Sequence, residues 1–204
     1  MSEVRPAAPT ELRALSLVLS RAFREDPVHR WILPEEFDWS LLSAAFFASV
    51  TRDALRNESV YTTAGQEAVA LWMPPYPKPV SRRERVTTAA GWFLALGRRG
   101  LPLGEQLERL EEARPLEPHW YLAVLGTDPR HQGRGHAAAL LRERLAHCDE
   151  ERLPAYLESS RAENLPFYER FGFRVEASLD LEGGPTVWRM LRRPAQAAQQ
   201  ASGG

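Results

Sequence analysis

The chain has 204 residues, 44% hydrophobic and 26% charged, with a formal net charge of −1; that is enough for one domain with a full core, and it lacks the basic excess of a nucleic-acid surface. Its one cysteine, Cys148, excludes a disulfide framework and a cysteine metal site, and on a helix-forming run it reads as an inert packed thiol. No apolar run approaches the ~20 residues that span a bilayer, and the first residues, MSEVRPAAPTELR, lack the basic and apolar segments of a secretory signal; a soluble cytoplasmic protein is expected, with neither membrane nor nucleic acid among its partners.

Residues 3–8 suit a short edge strand, since Pro6 has no N–H to give to a ladder. Thr10 is the expected N-cap of a first helix, Glu11 to about Arg24, with Leu12, Leu15, Leu19 and Phe23 on one face. Asp26-Pro27 stops it, Val28 to Leu33 makes a short helical turn, and a second strong helix follows Ser40. Val60–Thr63 and Ala68–Met73, joined at Ala64-Gly65-Gln66, read as a β-hairpin. The prolines of residues 74–79 impose a loop. Ser81 and Glu84 form a capping box that opens a helix to about Arg98; Gly97 and Gly100-Leu101-Pro102 break it, and another helix fits Gly104 to Ala113. Trp120 to Leu125 is an apolar strand, followed by a turn-rich loop and a long helix. Pro154 to Ser159 is a strand, Asn164 caps a short helix ended by Gly172, and Phe173–Leu179 pairs antiparallel with Thr186–Leu191. The expectation is a single domain over residues 1–193 and a disordered low-complexity tail over 194–204. The element order is that of an α/β (α+β) protein with one clear βαβ unit in its second half.

The chemistry concentrates in residues 119–138, HWYLAVLGTDPRHQGRGHAA. A strand, a loop, two glycines and a helix start in that order build an anion site from backbone. The first amides of a helix lack intrahelical acceptors, the macrodipole adds partial positive charge, and glycine lets a phosphate come close. A nucleotide P-loop would need Gly-Lys-Ser/Thr, which is absent. Gly133-x-Gly135-x-x-Ala138 with Glu158 fits a dinucleotide fingerprint. Against it stand the six-residue loop before Gln132 and the shortage of further β-α repeats. The third reading is the pyrophosphate arm of coenzyme A.

Gln132-x-x-Gly135-x-Ala137, after a strand and spaced from Asp128-Pro129, resembles the acyl-CoA motif of the GCN5-related N-acetyltransferases (GNAT). Asn164-Leu165-Pro166-Phe167-Tyr168-Glu169-Arg170-Phe171-Gly172-Phe173 is similar to that family's second coenzyme-contacting segment, in the right order and at the right distance. Pro118-x-Trp120-Tyr121-Leu122-Ala123, Leu157-Glu158-x-Ser160 and Trp188-x-Met190 look like the branch that contains puromycin N-acetyltransferase; this closer likeness covers residues 114–194. The resemblance implies a mixed, twisted central sheet of six to seven strands flanked by helices. In it two central parallel strands splay apart to form the acetyl-CoA cleft. It also implies acetyl transfer to a primary amine by direct attack on the thioester. Leu125, Gly126 and Thr127 match the segment that holds the pantetheine arm and acetyl carbonyl, and Gln132, Gly133, Arg134, Gly135, His136 and Ala137 the pyrophosphate loop. Asn164 matches a contact to the coenzyme arm, and Tyr168 the acid that protonates the departing thiolate.

For the general base, Glu158 at the end of the following strand is the first candidate, directly or through water, and Asp26 is another, because the resemblance puts the exit of the first helix beside the acceptor pocket. His119 suits a surface or capping role, and His131 and His136 flank the phosphate site. Trp31, Trp39, Trp72 and Trp92 lie on apolar faces. Phe23, Trp31, Trp72 and Phe93 are also candidates, with Asp26, for an acceptor pocket. No His, Cys and Asp cluster has metal-ligand spacing, so no metal is expected. The acceptor is expected to be a small-molecule amine, with an antibiotic aminonucleoside such as puromycin as the nearest analogue. A polyamine, an amino-acid derivative or a protein lysine stays open, as does a CoA-binding sensor without turnover, and a monomer and a homodimer both fit the sequence.

Overall fold

Two hydrophobic faces alternate along the hairpin strands, and they fix where the sheet and its helices lie. The computed structural model describes residues 3–33, 39–82 and 100–195. The expected helix beyond Ser81, with Trp92 and Phe93, and residues 196–204 of the expected tail lie outside the described residues. The elements are β1 (Val4–Pro6), α1 (Leu12–Ala22), α2 (Pro27–Ile32), α3 (Trp39–Arg56), β2 (Val60–Thr63), β3 (Ala68–Met73), α4 (Gly100–Glu112), β4 (Trp120–Thr127), α5 (His136–Glu151), β5 (Ala155–Ser159), α6 (Leu165–Glu169), β6 (Arg174–Asp180) and β7 (Thr186–Arg192). The strands form one seven-stranded sheet in the order β1-β2-β3-β4-β5-β7-β6. Every neighbouring pair is antiparallel except β4 and β5.

In β3, Val69 and Leu71 pack with Leu15, Leu19 and Phe47 of α1 and α3. Ala68, Ala70 and Trp72 pack on the other face with Leu140, Leu141 and Leu145 of α5. A strand buried on both faces reads as an unbroken apolar run, as ALWM does here. Trp72, expected among the acceptor-pocket aromatics, is instead a core residue with no exposed surface, in the layer under α5. Its position two residues from Ala70 assigns it to that face, and the strand period leaves it no other.

Several boundaries differ from the sequence expectation for local reasons. Thr10 lies inside a 3-10 turn, Pro9–Glu11, and α1 starts at Leu12. The capping carboxylate is that of Glu11, which accepts the Ala8 amide at 2.8 Å and the Arg5 guanidinium at 2.6 and 2.8 Å. Pro102, expected to break a helix, lies in the first turn of α4, where a missing N–H removes no helical bond. At the other end of the domain, Ala195 donates its amide to Asp149 at 3.0 Å, so the ordered chain reaches past the expected start of the tail.

Candidate active site

β4 makes the cleft by leaving β5. The two strands pair only at Trp120↔Ala155, Tyr121↔Tyr156 and Leu122↔Leu157. β4 then follows β3 alone to Thr127, while β5 follows β7 to Ser159. The divergence begins where the β3–β4 register jumps from Leu71↔Val124 to Trp72↔Leu122, leaving Ala123 as the extra residue of a β-bulge. A bulge bends its strand and raises the local twist. It also turns Ala123 and Val124 to the same face, toward α1 and α3, while Leu122 and Leu125 face α5.

The bulge sets which backbone groups meet the cleft. The Asp128 amide donates to Glu67 of the β3 turn at 2.8 Å. Counting back in twos, Gly126 and Val124 also turn their backbone groups to β3. Leu125 and Thr127 therefore present theirs toward the vacated β5 side. Gly126 has a separate reason to be glycine: a Cβ there would lie 2.8 Å from Leu19 and 3.1 Å from Ala22 and Phe23, so α1 lies directly across it.

After β4 the chain turns through a 3-10 turn, Pro129–His131, and α5 begins at His136. Asp128 fixes this turn. Its side chain accepts the Arg130 amide at 3.1 Å, the Arg130 guanidinium at 3.0 and 2.9 Å and Arg21 of α1 at 2.8 Å. Arg130 first, then Arg21, holds this buried carboxyl far below the ordinary range. The Asp128-Pro129 spacing marked the residue in the sequence, but its partner in α1 is 107 positions away and left no sequence signal. Gly133 and Gly135 take φ +74° and +83°, and no atom lies within 4 Å of where their Cβ atoms would stand. Gly135 is the N-cap of α5. The amides of Gly133, Arg134, Gly135 and Ala137 have no acceptor among the described residues. Together these are an open backbone cradle at a helix start, suited by charge and shape to a phosphate. Gln132 adds a side-chain bond to the Thr127 carbonyl at 3.4 Å.

A cleft of about 940 Å³ joins these parts. Leu125, Gly126, Thr127, Gln132, Gly133, Gly135, His136 and Ala137 line it, and so do Phe23, Asp26, Asn164 and Tyr168 from other elements. Arg134 is exposed and its side chain lies outside that lining. Asn164 was expected to cap α6, yet it makes no side-chain capping bond and faces the cleft. The Tyr168 hydroxyl has no hydrogen-bond partner among the described residues. Burial first, and the negative charge of Asp26 second, push its phenol above the ordinary value, so it holds its proton. Its ring stands against Phe167 and Phe173. The turn behind it is held by Arg192, which bonds the Phe171 carbonyl at 2.9 Å and grips Asp149 of α5 with both guanidinium nitrogens at 2.8 and 2.7 Å.

Asp26 caps α2 by accepting the His29 amide at 2.9 Å, and Ser160 donates to its other oxygen at 2.5 Å. Beneath it His29 is buried among Phe23, Phe46 and Phe47, with Nε2 2.8 Å from Ser43 Oγ. Burial pulls its pKa from 6.5 to about 4, so the ring is neutral near pH 7. Nothing around His29 in the sequence singled it out.

Glu158 and Trp31 do not line the cleft. The Glu158 carboxylate sits one residue beyond the last β4–β5 pair, where it accepts Tyr121 at 2.9 Å, Tyr156 at 3.1 Å and Arg114 at 3.4 Å. His119 meets Tyr156 edge-on and makes an exposed, local bond to the Glu117 carbonyl at 2.8 Å. Trp31 packs against Val28, Leu110 and Leu181 and closely against Gly184, bracing the last hairpin. Cys148 is fully buried, and burial raises its thiol to about 12, which leaves it unreactive. Among the described residues there is no group of three or more His, Cys, Asp or Glu placed to hold a metal, and no helix long and apolar enough to cross a membrane.

The profile of the Acetyltransferase (GNAT) family matches residues 69–173, from β3 through α6 to the start of the last hairpin. An uncharacterized N-acetyltransferase of Schizosaccharomyces pombe is 44% identical over 62 residues, which is 30% of this chain and 25% of that protein. The chain's match thus spans about a quarter of the length of that relative. Among solved structures, the histone acetyltransferase HPA2 and related acetyltransferase from Corynebacterium glutamicum superposes with TM-score 0.67 at 23% identity, covering 96% of this chain and 98% of that one. The Drosophila melanogaster polyamine N acetyltransferase does so with TM-score 0.66 at 15% identity, covering 95% and 100%. A mosquito arylalkylamine N-acetyltransferase-like protein gives 0.58 at 16%, covering 95% and 100%. At these identities the likeness is one of fold.

Proposed function

The chain belongs to the acetyltransferase (GNAT) family, and we propose that it transfers the acetyl group of acetyl-CoA to a primary amine of a small molecule. The observation that carries this reading is the coincidence of bulge and splay. It turns the backbone of Leu125 and Thr127 into the cleft between the glycine cradle and the Tyr168 hydroxyl.

Acetyl-CoA, when bound, supplies an activated thioester. The amides of Gly133 to Ala137 hold pyrophosphate at the start of α5, and Leu125 and Thr127 take the place of a missing β5 partner by bonding the pantetheine arm. A backbone N–H on this edge stabilises the developing oxyanion. The acceptor nitrogen forms its bond to the acetyl carbon as the carbon–sulfur bond breaks, and Tyr168 gives its proton to the departing sulfur. A phenol of ordinary pKa ~10 already matches an alkyl thiol as a donor, and burial keeps Tyr168 protonated.

Proton removal from the incoming ammonium is assigned to Asp26. It lines the cleft, its charge is felt at Tyr168, and it retains acceptor capacity. Glu158 already accepts three donors outside the lining, which suits it to hold Tyr121, Tyr156 and Arg114 around the acceptor side. For the acceptor, the likeness of residues 118–123 and 157–160 to the puromycin branch favours an aminonucleoside. The polyamine and arylalkylamine enzymes that share the fold widen the panel to those amines.

The test is a screen of purified protein with acetyl-CoA against puromycin, polyamines, arylalkylamines, amino acids and a lysine peptide, reading free thiol and acetylated product together. Thiol release that depends on one amine and matches its acetylation is expected. Coenzyme binding with no amine-dependent thiol release would replace the enzyme by a CoA sensor.

A further inference from the structure

Asp26 and Tyr168 both line the cleft but reach it from segments far apart in the chain. Asp26 is the N-cap of α2, in the turn that leaves α1, and Tyr168 belongs to α6, beyond β5. β5 keeps its place in the sheet as far as Ser159, paired with Trp188 of β7. The next two residues leave the sheet and meet the α1–α2 turn side by side. Ser160 Oγ donates to Asp26 Oδ2 at 2.5 Å, and Arg161 Nη2 donates to the Glu25 carbonyl at 3.0 Å. Two neighbours on one segment thus grip two neighbours on the other.

Helix α2 does not require these bonds. Its cap is complete without Ser160, because the other Asp26 oxygen accepts the His29 amide at 2.9 Å. Each carboxylate oxygen then has one fixed donor and keeps further acceptor capacity. The Glu25 carboxylate is turned to Arg30 at 2.7 Å, which leaves its backbone carbonyl to Arg161. On the facing segment the Arg161 carbonyl accepts Ser159 Oγ at 3.0 Å and the Asn164 amide at 3.1 Å. The 3-10 turn Ala162–Asn164 runs directly into α6. The residues that hold Asp26 and the residue that carries the transferable proton therefore lie on one continuous helical segment. Ser160 is outside the cleft lining, so it touches the reacting groups only through Asp26.

We propose that Ser160 and Arg161 are positioning residues for acetyl transfer: they clasp the α1–α2 turn to the α6 segment and so set the place of the Asp26 carboxylate relative to the Tyr168 hydroxyl. The clasp rests on the assignment of Asp26 as the base, and it adds that acid and base are spaced by a single stretch of chain. Direct attack needs the amine, its base and the thioester in one geometry, and a displacement of about 1 Å in such a group costs on the order of 100-fold in rate.

The experiment is a double-mutant cycle of Ser160→Ala with Asp26→Asn, assayed with the amine that gives thiol release in the screen above, beside CoA calorimetry and hydrogen exchange of the free protein. Ser160→Ala should lower kcat ~10- to 100-fold with the amine KM and CoA affinity within about 3-fold of wild type. Ser160→Thr, which keeps the hydroxyl, should return kcat to within about 3-fold of wild type. In the Asp26→Asn background Ser160→Ala should cost less than about 3-fold more, since the base it positions is gone. Ser160→Ala and Arg161→Ala should each speed exchange at the His29 amide, which Asp26 accepts, roughly 10-fold. An unchanged kcat in Ser160→Ala, a threonine variant as slow as the alanine one, or additive losses in the cycle would overturn the clasp and leave Asp26 as the base. Asp26→Asn at the wild-type rate would instead remove Asp26 from the chemistry, and a protein that acetylates no amine of the panel would remove the enzyme reading and the clasp with it.

Discussion

The two walls of the cleft are built by different means. The wall formed by β4, the glycine turn and α5 works through backbone: amides at a helix start, carbonyls and N–H groups left by a departing strand, and left-handed glycines at 133 and 135. The wall formed by the α1–α2 exit and α6 works through side chains: Phe23, Asp26 tied to Ser160, Asn164 and Tyr168; behind it, outside the lining, His29 lies among three phenylalanines and Glu158 among two tyrosines and an arginine. A backbone site is specified by neighbours in the chain, and it can serve one ligand whatever surrounds it. A side-chain site is assembled from distant segments, and small changes there alter which acceptor fits.

The largest effect that would sharpen this comparison is expected at Gly135. Gly135→Asp forces an acidic side chain into a left-handed position at the helix start and should cut CoA affinity roughly 100-fold or more by calorimetry; retained affinity would break the backbone wall. Tyr168→Phe should lower kcat ~10- to 1000-fold with CoA affinity within about 3-fold, and an unchanged rate would remove its hydroxyl from the chemistry. Asp26→Asn should lower kcat/KM for the amine ~10- to 100-fold with CoA affinity little changed, while Glu158→Gln, behind the lining, should chiefly raise KM. The reverse pattern would exchange their roles.

Two smaller effects separate packing from function. Trp72→Phe should cost about 1–3 kcal/mol in chemical denaturation with the amine KM unchanged, since the residue is core and not pocket. His29 titrates near 4 in the folded chain against 6.5 when free, so the unfolded state binds more protons between those values. Stability should therefore fall as pH drops from 6.5 toward 4, by at most about 3 kcal/mol from this residue. In His29→Gln that part of the slope should vanish; an identical slope would show that His29 is not held neutral.

This division also decides what could be read without coordinates. The strand, turn, glycines and helix start of residues 119–138 are contiguous, so an anion cradle was legible from spacing, as was the β-hairpin; which anion it suits, and the part of the Tyr168 segment, came from the family resemblance of residues 132–137 and 164–173. The bulge at Ala123 was not legible, because it depends on pairing with Leu71 and Trp72 of β3, far away in the chain. Trp72 was misplaced because a fully buried central strand has no polar alternation to show which face matters. Asp26 could be suspected from its place at the exit of the first helix, which the resemblance puts beside the acceptor pocket, but its bond to Ser160 spans 134 positions and the contact of Glu158 with Arg114 spans 44.

The most direct measurement of the central claim is the backbone amide spectrum of the protein titrated with CoA. Large shifts are predicted for the amides of Gly133, Arg134, Gly135 and Ala137 together with Leu125 and Thr127, saturating at one affinity, with Gly126 and Val124 moving less because their groups face β3. Shifts confined to the Glu158 cluster, or a glycine turn that stays still at saturation, would contradict the account.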